Sequence, residues 1–425
     1  MFPIDTETFL NQLQGRGWHL SLEPVVRLLG EWGNPERAFK CVHLAGTNGK
    51  GSTAAFLESI FRQAGYRTGL YTSPHLLDAR ERIRVHGQPI PWGRFDAYVQ
   101  EIQEPVTRLG CTYFETLTAV AFRYFADAQV DLAIIETGLG GRFDATNVVT
   151  PELSLITSID LDHVQHLGQS RAQIAREKAG IIKPNRTCLS GVRSRKVNAL
   201  LHEVAVKRGA RFHELEELCR FTVRRMHETG SEVEFRCAGV ICEATVGLPG
   251  RHQVRNAALA VAASHCLERS GYRVSQEAVV GGLAKVVWPG RLQLVGTRPR
   301  IVLDVAHNPA AMRQLIAALR ALYPEQRFVF VVGFLADKDC RAMARQIAAA
   351  ADSIVTVTPV SERALPAREL AEVFQEFKAT VEVREHMEQA LAFLQSLHPA
   401  YLGCVTGSHV TVGNFLRAWK KVLTN

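Results

Sequence analysis

The sequence contains no Cys-x-x-Cys pair and no Cys/His spacing of the kind that encloses zinc. Its nine cysteines are Cys41, Cys111, Cys188, Cys219, Cys237, Cys242, Cys266, Cys340 and Cys404. An odd number at irregular spacing does not make a disulfide framework, so reduced thiols are expected. No apolar run approaches the ~18 residues of a membrane-spanning helix. The N-terminal Met1-Phe2-Pro3-Ile4-Asp5 lacks the basic-then-apolar order of a secretory leader. A soluble cytoplasmic protein is therefore expected. The net charge is +8, yet no five basic residues are consecutive. Without a concentrated basic patch a nucleic-acid partner is not expected, and the excess charge suits an anionic substrate instead. Internal repeats and low-complexity segments are also missing, which excludes solenoids and arrays.

What is present is a globular composition: 47% hydrophobic and 22% charged residues over 425 positions. That length suits two or three domains. Apolar strand-like runs alternate with helical spacing. Lys40–Ala45 reads as a strand, 54–64 as a helix closed by Gly65, Thr68–Tyr71 as a strand and 114–126 as a helix. Leu132–Glu136 and 153–158 are further strands. Such βα alternation predicts a mostly parallel sheet with helices on both faces. Residues 221–245 instead alternate around Glu228-Thr229-Gly230, predicting a small antiparallel insertion. Trp288-Pro289-Gly290 and Thr297-Arg298-Pro299 interrupt the pattern, and the domain boundary is placed here, giving residues 1–293 and 294–425. The second part repeats strand and helix five times, from 301–305 to the helix 412–422, as a smaller Rossmann-like domain. It has no Gly-x-Gly-x-x-Gly turn after its first strand, so a dinucleotide role lacks support.

The run Gly46-Thr47-Asn48-Gly49-Lys50-Gly51-Ser52-Thr53 lies between a predicted strand and helix. Glycines there let backbone N–H groups face phosphate oxygens, and the helix N-terminus adds partial positive charge. Lys50 can reach the β- and γ-phosphates and Ser52 can ligate Mg2+. Gly51 separates the lysine from the hydroxyl residue, a departure from the strict phosphate-loop pattern. Taken alone, the loop implies nucleotide phosphate binding and no particular reaction.

Further motifs follow in order. They are Tyr71-Thr72-Ser73-Pro74-His75-Leu76, Phe114-Glu115-Thr116-Leu117, and Glu136-Thr137-Gly138-Leu139-Gly140-Gly141-Arg142-Phe143-Asp144-Ala145-Thr146-Asn147. Then come Asp162-His163, Glu177-Lys178-Ala179-Gly180, Trp288-Pro289-Gly290-Arg291-Leu292 and Asp304-Val305-Ala306-His307-Asn308-Pro309. With the loop GTNGKGST, this ordered set resembles the folylpolyglutamate synthase/dihydrofolate synthase family of the Mur ligase superfamily, across nearly the whole chain.

The resemblance implies ATP bound between the domains, on Asn48, Gly49, Lys50, Gly51, Ser52, Thr53, Asn256, Arg291 and Asp304. It implies two Mg2+ ions, one at Ser52, Ser73 and Glu136 and one at Glu136 with His163; a monovalent cation is a further expectation. A sparse protein ligand set suits Mg2+, which keeps water and phosphate oxygens. Lys50, His163 and Lys178 are the expected catalytic residues. Lys178 corresponds to a lysine carbamylated by CO2 in the family, a reaction that needs a neutral amine and hence a depressed pKa. Read alone, Lys178 is equally a solvated lysine or the partner of Glu177. A pterin-bearing substrate is expected on Leu22, Glu23, Pro24, Phe114, Glu115, Thr116, Leu117, Phe143, Asp144 and Ala145. Read alone, Phe114 and Phe143 are equally core residues. Related sequences often read Gly-Leu-Glu-Arg where this one reads Ser21-Leu22-Glu23-Pro24. Arg82 and His307 are candidates for phosphate or glutamate contacts.

The implied reaction is ATP-dependent addition of L-glutamate to dihydropteroate or to a folate polyglutamate through an acyl phosphate, by a monomer acting on small molecules. The nearest alternative, a ligase acting on a UDP-linked precursor, would need a further N-terminal domain, and only 45 residues precede Gly46. A regulatory ATPase is the second alternative.

Overall fold

The computed structural model describes residues 5–237 and 239–424. Met1–Ile4, on which the leader reading partly rests, lie outside the described residues. The first sheet has eight strands: β1 (Cys41–Ala45), β2 (Thr68–Tyr71), β3 (Ile83–Val85), β4 (Gln88–Pro89), β5 (Leu132–Glu136), β6 (Leu153–Ile156), β7 (Thr187–Ser190) and β8 (Arg211–Glu214). Their order is β4-β3-β2-β5-β1-β6-β7-β8, all parallel except β3 and β4 at one edge.

Successive strand residues point to opposite faces, and both faces are covered. Val42 and Leu44, with Leu70, Ile134 and Leu155, pack under helices Lys50–Gln63 and Arg251–Glu268. Cys41, Tyr71 and Ile135 face helices Trp92–Leu109 and Tyr113–Asp127. This is why every residue of β1 is buried and why the run shows no polar alternation.

Residues β9 (Cys219–His227), β10 (Gly230–Cys237) and β11 (Val240–Val246) form the expected antiparallel insertion, ordered β11-β10-β9. Here the thiol expectation is corrected. Cys219 and Cys237 face each other across β9 and β10 and are joined as a disulfide. The 18-residue separation reflects a hairpin register that cysteine spacing alone does not reveal. The other seven cysteines are free thiols.

The third sheet comprises β12 (Gln293–Thr297), β13 (Arg300–Leu303), β14 (Arg327–Val332), β15 (Ser353–Thr356), β16 (Val381–Val383) and β17 (Tyr401–Thr406), in the order β12-β13-β17-β14-β15-β16. Five strands are parallel, as expected from the sequence; β12 is an additional antiparallel edge strand. The prolines and glycines flanking it had marked this segment as a linker. An edge strand tolerates such residues because half its backbone groups need no ladder partner. The line drawn between 293 and 294 falls just after the first residue of β12. Val302, Phe330 and Cys404 pack against Met312, Leu315 and Phe374 on one face, and Leu303, Val331 and Val405 pack against Leu394 and Phe415 on the other.

Open parallel sheets bind ligands beyond the carboxyl ends of their strands. In this chain the segments leaving β1 and β6 meet the segments leaving β13 and β14. Asn48 and Asn308 exchange amide hydrogen bonds of 3.3 and 2.9 Å, and Asp162 pairs with Lys338 at 2.8 Å.

Candidate active site

Between β1 and helix Lys50–Gln63 the chain turns through Gly49, whose φ of +86° places it in the left-handed region. Glycine tolerates this conformation. A Cβ here would also lie 2.6 Å from Asn256 Oδ1, so the loop and helix Arg251–Glu268 approach more closely than a side chain allows. The helix begins at Lys50, four residues before the expected start, so Lys50 to Thr53 form its first turn. The amides of Gly49 to Ser52 belong to the group an α-helix leaves without internal partners, which is the physical basis of anion binding, while Thr53 N donates to Gly49 O at 2.9 Å. Asn48 N donates to Ser158 Oγ at 2.9 Å, tying the loop to the end of β6.

Lys50 Nζ donates to Gly46 O at 3.0 Å and lies 3.7 Å from Glu136 Oε1. Glu136 ends β5 and is buried; its other oxygen accepts from Ser73 N at 3.2 Å. Burial raises its pKa, with Lys50, the Ser73 amide and Arg291 opposing. Ser52 is buried in the same first turn, and Thr53 Oγ1 is buried without a hydrogen-bond partner. A carboxylate incompletely matched by cations, beside buried hydroxyls, fits a hard divalent ion completed by phosphate oxygens and water. Among the described residues, no group of three or more His, Cys, Asp and Glu side chains is arranged to hold a metal by itself. Ser52, Ser73 and Glu136 thus fit a metal only together with a phosphate-bearing ligand.

His163 lies elsewhere on the same rim, in the left-handed region at φ +49°. Its Nε2 is 3.0 Å from Lys338 Nζ. Burial lowers its pKa to about 4, so its ring is neutral near pH 7 and has a lone pair available. Asp162 beside it accepts from Lys338 Nζ at 2.8 Å and from Asn308 Nδ2 at 3.0 Å, and lies 3.7 Å from His307 Nε2. Burial pushes the Asp162 carboxyl up, but His307, Lys338 and His163 prevail and hold it well below the usual carboxylate range.

Arg291 and Asp304 face each other electrostatically. Burial raises the pKa of Asp304 against the opposing effect of Arg291, and the carboxylate accepts from Leu292 N at 3.0 Å and Ala306 N at 2.9 Å. His307 Nδ1 lies 3.0 Å from Val305 O. Lys178 is fully buried, and desolvation with some repulsion from Lys50 lowers its pKa to about 7. Arg82 Nε donates to His75 Nδ1 at 2.9 Å and its guanidinium lies 5.2 Å from the Tyr113 ring centre.

The expected pterin residues are distributed less compactly. Leu22 caps helix Glu23–Glu31 and packs partly buried against the core; Glu23 is exposed; Pro24 O lies 3.7 Å from Cys111 Sγ, near the start of helix Tyr113–Asp127. Phe114 packs 5.9 Å from Tyr71 and covers Gly138. Glu115 forms a capping box with Thr112 and pairs with His19 at 3.2 Å, while Thr116 bonds Thr112 O at 2.8 Å. Leu117 and Ala145 are core residues. Phe143 is half-buried beneath the Arg142 guanidinium. Asp144 caps the 3-10 turn Ala145–Val148.

The sequence reading missed Lys338, the ammonium paired with Asp162 at 2.8 Å. It follows β14 in Ala336-Asp337-Lys338-Asp339, and the rule that ligands gather beyond strand ends could have flagged it. Trp288, whose Nε1 would lie 3.2 Å from a Cβ on Gly51, also borders the loop.

Comparison with known proteins adds a separate line of support. Residues 44–264 match the Mur ligase middle domain, and residues 290–409 match the Mur ligase glutamate ligase domain. The Bacillus subtilis dihydrofolate synthase/folylpolyglutamate synthase is 38% identical over 77% of this chain and 78% of its own length. The structure of E. coli FolC in complex with DHPP and ADP superposes with a TM-score of 0.89 at 32% identity, covering 99% of each chain. A bifunctional folylpolyglutamate synthase/dihydrofolate synthase with Mn, AMPPNP and L-glutamate bound superposes with a TM-score of 0.86 at 31% identity, covering 98% of each.

Proposed function

Because the chain belongs to the dihydrofolate synthase/folylpolyglutamate synthase family of Mur-type ligases, we propose that it uses ATP to join L-glutamate to dihydropteroate, to a folate polyglutamate, or to both. One observation carries the reading: Lys50 and buried Glu136 at the ends of β1 and β5 lie on the same rim as Asp162, His307 and Lys338. Residues 1–293 provide the nucleotide and acceptor half, and 294–425 the second half.

The first-turn amides and Lys50 hold the triphosphate, with Asn256 behind Gly49 and with Arg291 and Asp304 at the domain junction. An acceptor carboxylate oxygen attacks the γ-phosphorus and the bond to the β-phosphate oxygen breaks, leaving ADP and an acyl phosphate. The amino nitrogen of glutamate then attacks the acyl carbon, and inorganic phosphate leaves as the amide forms. Lys50 stabilises charge on the transferring phosphoryl group. Two Mg2+ ions, one at Ser52, Ser73 and Glu136 and one at Glu136 and His163, would supply further charge neutralisation, with a monovalent cation as an auxiliary. Closing the two rims excludes water from the labile acyl phosphate. Lys178 has the burial and lowered pKa that carbamylation by CO2 requires. The protein acts as a cytoplasmic monomer on small molecules.

The test supplies ATP, labelled L-glutamate and either dihydropteroate or a reduced folate, and counts the products separately. The expected result is one ADP and one phosphate for each glutamate incorporated. Incorporation without an acceptor, or ATP hydrolysis without incorporation, refutes the assignment.

A further inference from the structure

We propose that His43 is a positioning residue for the acceptor site, acting through Thr146 and Asp144 on the loop between Glu136 and Asp144. The inference rests on the ligase reading above. His43 occupies the centre of β1, opposite Ile135 of β5 and Ser154 of β6, and is fully buried. A buried polar ring in the middle of a parallel sheet is costly unless its hydrogen bonds are made. Among the described residues, only Nε2 makes one, to Thr146 Oγ1 at 2.7 Å, and Nδ1 has no partner.

The direction of each hydrogen bond follows from chemistry. Thr146 Oγ1 also bonds Asp144 Oδ1. Burial raises the Asp144 pKa, with the Thr146 hydroxyl and backbone amides opposing; in its ionised form the carboxylate only accepts, so the single Thr146 hydroxyl proton goes to Asp144. Its oxygen must then accept from His43, which fixes the ring as the Nε2–H tautomer. The unpartnered Nδ1 is thus a lone pair, which costs less than a buried unpaired N–H.

Asp144 carries the chain of bonds onward. Its Oδ1 also accepts from Thr146 N at 3.0 Å, and its Oδ2 accepts from Leu139 N at 2.8 Å. With the Thr146 hydroxyl these bonds take up three of the carboxylate's four or so acceptor sites and hold the loop. The loop so held has two close approaches. A Cβ on Gly138 would meet the Phe114 ring at 2.7 Å, and one on Gly141 would meet Lys178 O at 2.8 Å. Phe114 is the aromatic face proposed for the acceptor heterocycle, and Lys178 lies on the phosphoryl side. His43 therefore locks the surface against which Phe114 is set, from within the sheet and without touching a substrate.

The test measures KM for dihydropteroate, ATP and glutamate in the full-length protein and in His43→Leu, His43→Gln and Thr146→Val. His43→Leu should raise the dihydropteroate KM about tenfold while the ATP KM changes less than about twofold, since a single lost positioning bond is of this size. His43→Gln places an amide N–H near the original Nε2 and should recover most of the loss. A merely structural role would move all three constants or the melting temperature, and glutamine would not rescue it. Should His43→Leu fold poorly, Thr146→Val cuts the same link from its other end. Equal shifts in all three constants, or no shift in the dihydropteroate KM in either variant, overturn the proposal. Absence of glutamate incorporation with both dihydropteroate and a reduced folate in the unaltered protein overturns the ligase reading itself, and this proposal with it; if only the folate is accepted, its KM replaces that for dihydropteroate.

Discussion

Glu136, buried, and Asp162, partly buried, are carboxylates on the same rim, yet their surroundings drive them in opposite directions. Glu136 has a lysine at 3.7 Å and one backbone amide, and burial prevails, raising its pKa. Asp162 has a lysine at 2.8 Å, an asparagine amide and two histidines, and these prevail over burial, lowering its pKa. The partners of Asp162 include three residues of the third-sheet half, so its charge is satisfied when the halves meet. Glu136 draws mainly on its own half and stays short of positive charge. One carboxylate joins the halves; the other is left with less compensating positive charge.

Removing the cation nearest Glu136 should have the largest effect. Lys50→Ala should reduce turnover by at least about 10^3-fold, the scale of a lost transition-state charge contact. Retained turnover measured by phosphate release would end the reading of the loop. Lys338→Met should leave Asp162 charged, partly buried and poorly paired, at a cost of roughly 3–5 kcal/mol. Thermal melting checks this. A carboxyl with a lowered folded pKa adds stability that is complete above its unfolded pKa of about 4 and is lost as pH falls below that. Lys338→Met should therefore flatten the decline in melting temperature on acidification. Glu136→Gln should reduce turnover by about 10^2-fold yet leave the melting temperature unchanged or higher, because it removes a charge that burial disfavours. A lower melting temperature would mean that Glu136 is as well paired as Asp162.

Lys178 enters through the pH dependence of stability. Its folded pKa of about 7 lies below an unfolded value of about 10.4. Between these values the unfolded chain binds the extra proton, so stability rises with pH from about 7 to 10.4. Lys178→Met should flatten that slope, which denaturant midpoints at several pH values can follow.

The parallel sheets were legible because their strands are short, apolar runs separated by helical spacing, and Thr68–Tyr71 and Leu132–Glu136 fall where the sequence places them. The strand β12 was not legible, since its pairing depends on β13 and its flanking Gly and Pro read as a break. The loop Gly46–Thr53 was legible as a contiguous run. Asp162 with Lys338 was not, because 176 positions separate the pair and only folding puts the ammonium against the carboxylate. The disulfide was hidden for the same reason: register, not spacing, sets Cys219 opposite Cys237. His43 was hidden by its setting, one polar residue within an otherwise apolar strand.

The segment before β12 has a mechanical consequence. Gly290 N donates to Gln293 Oε1 at 2.9 Å, Val305 N donates to Gly290 O at 3.0 Å, and Leu292 N donates to Asp304 at 3.0 Å. These bonds make the chain from Gly290 onward part of the third-sheet half, so the crossing between the halves lies upstream, at Val286–Pro289. Trp288 stands in that crossing, with its indole against Gly51, under the Arg84 guanidinium and on the core beneath helix Lys50–Gln63. All of these neighbours belong to the first-sheet half, so the indole anchors the crossing segment to the glycine-rich loop, and the two halves change owner between Trp288 and Gly290.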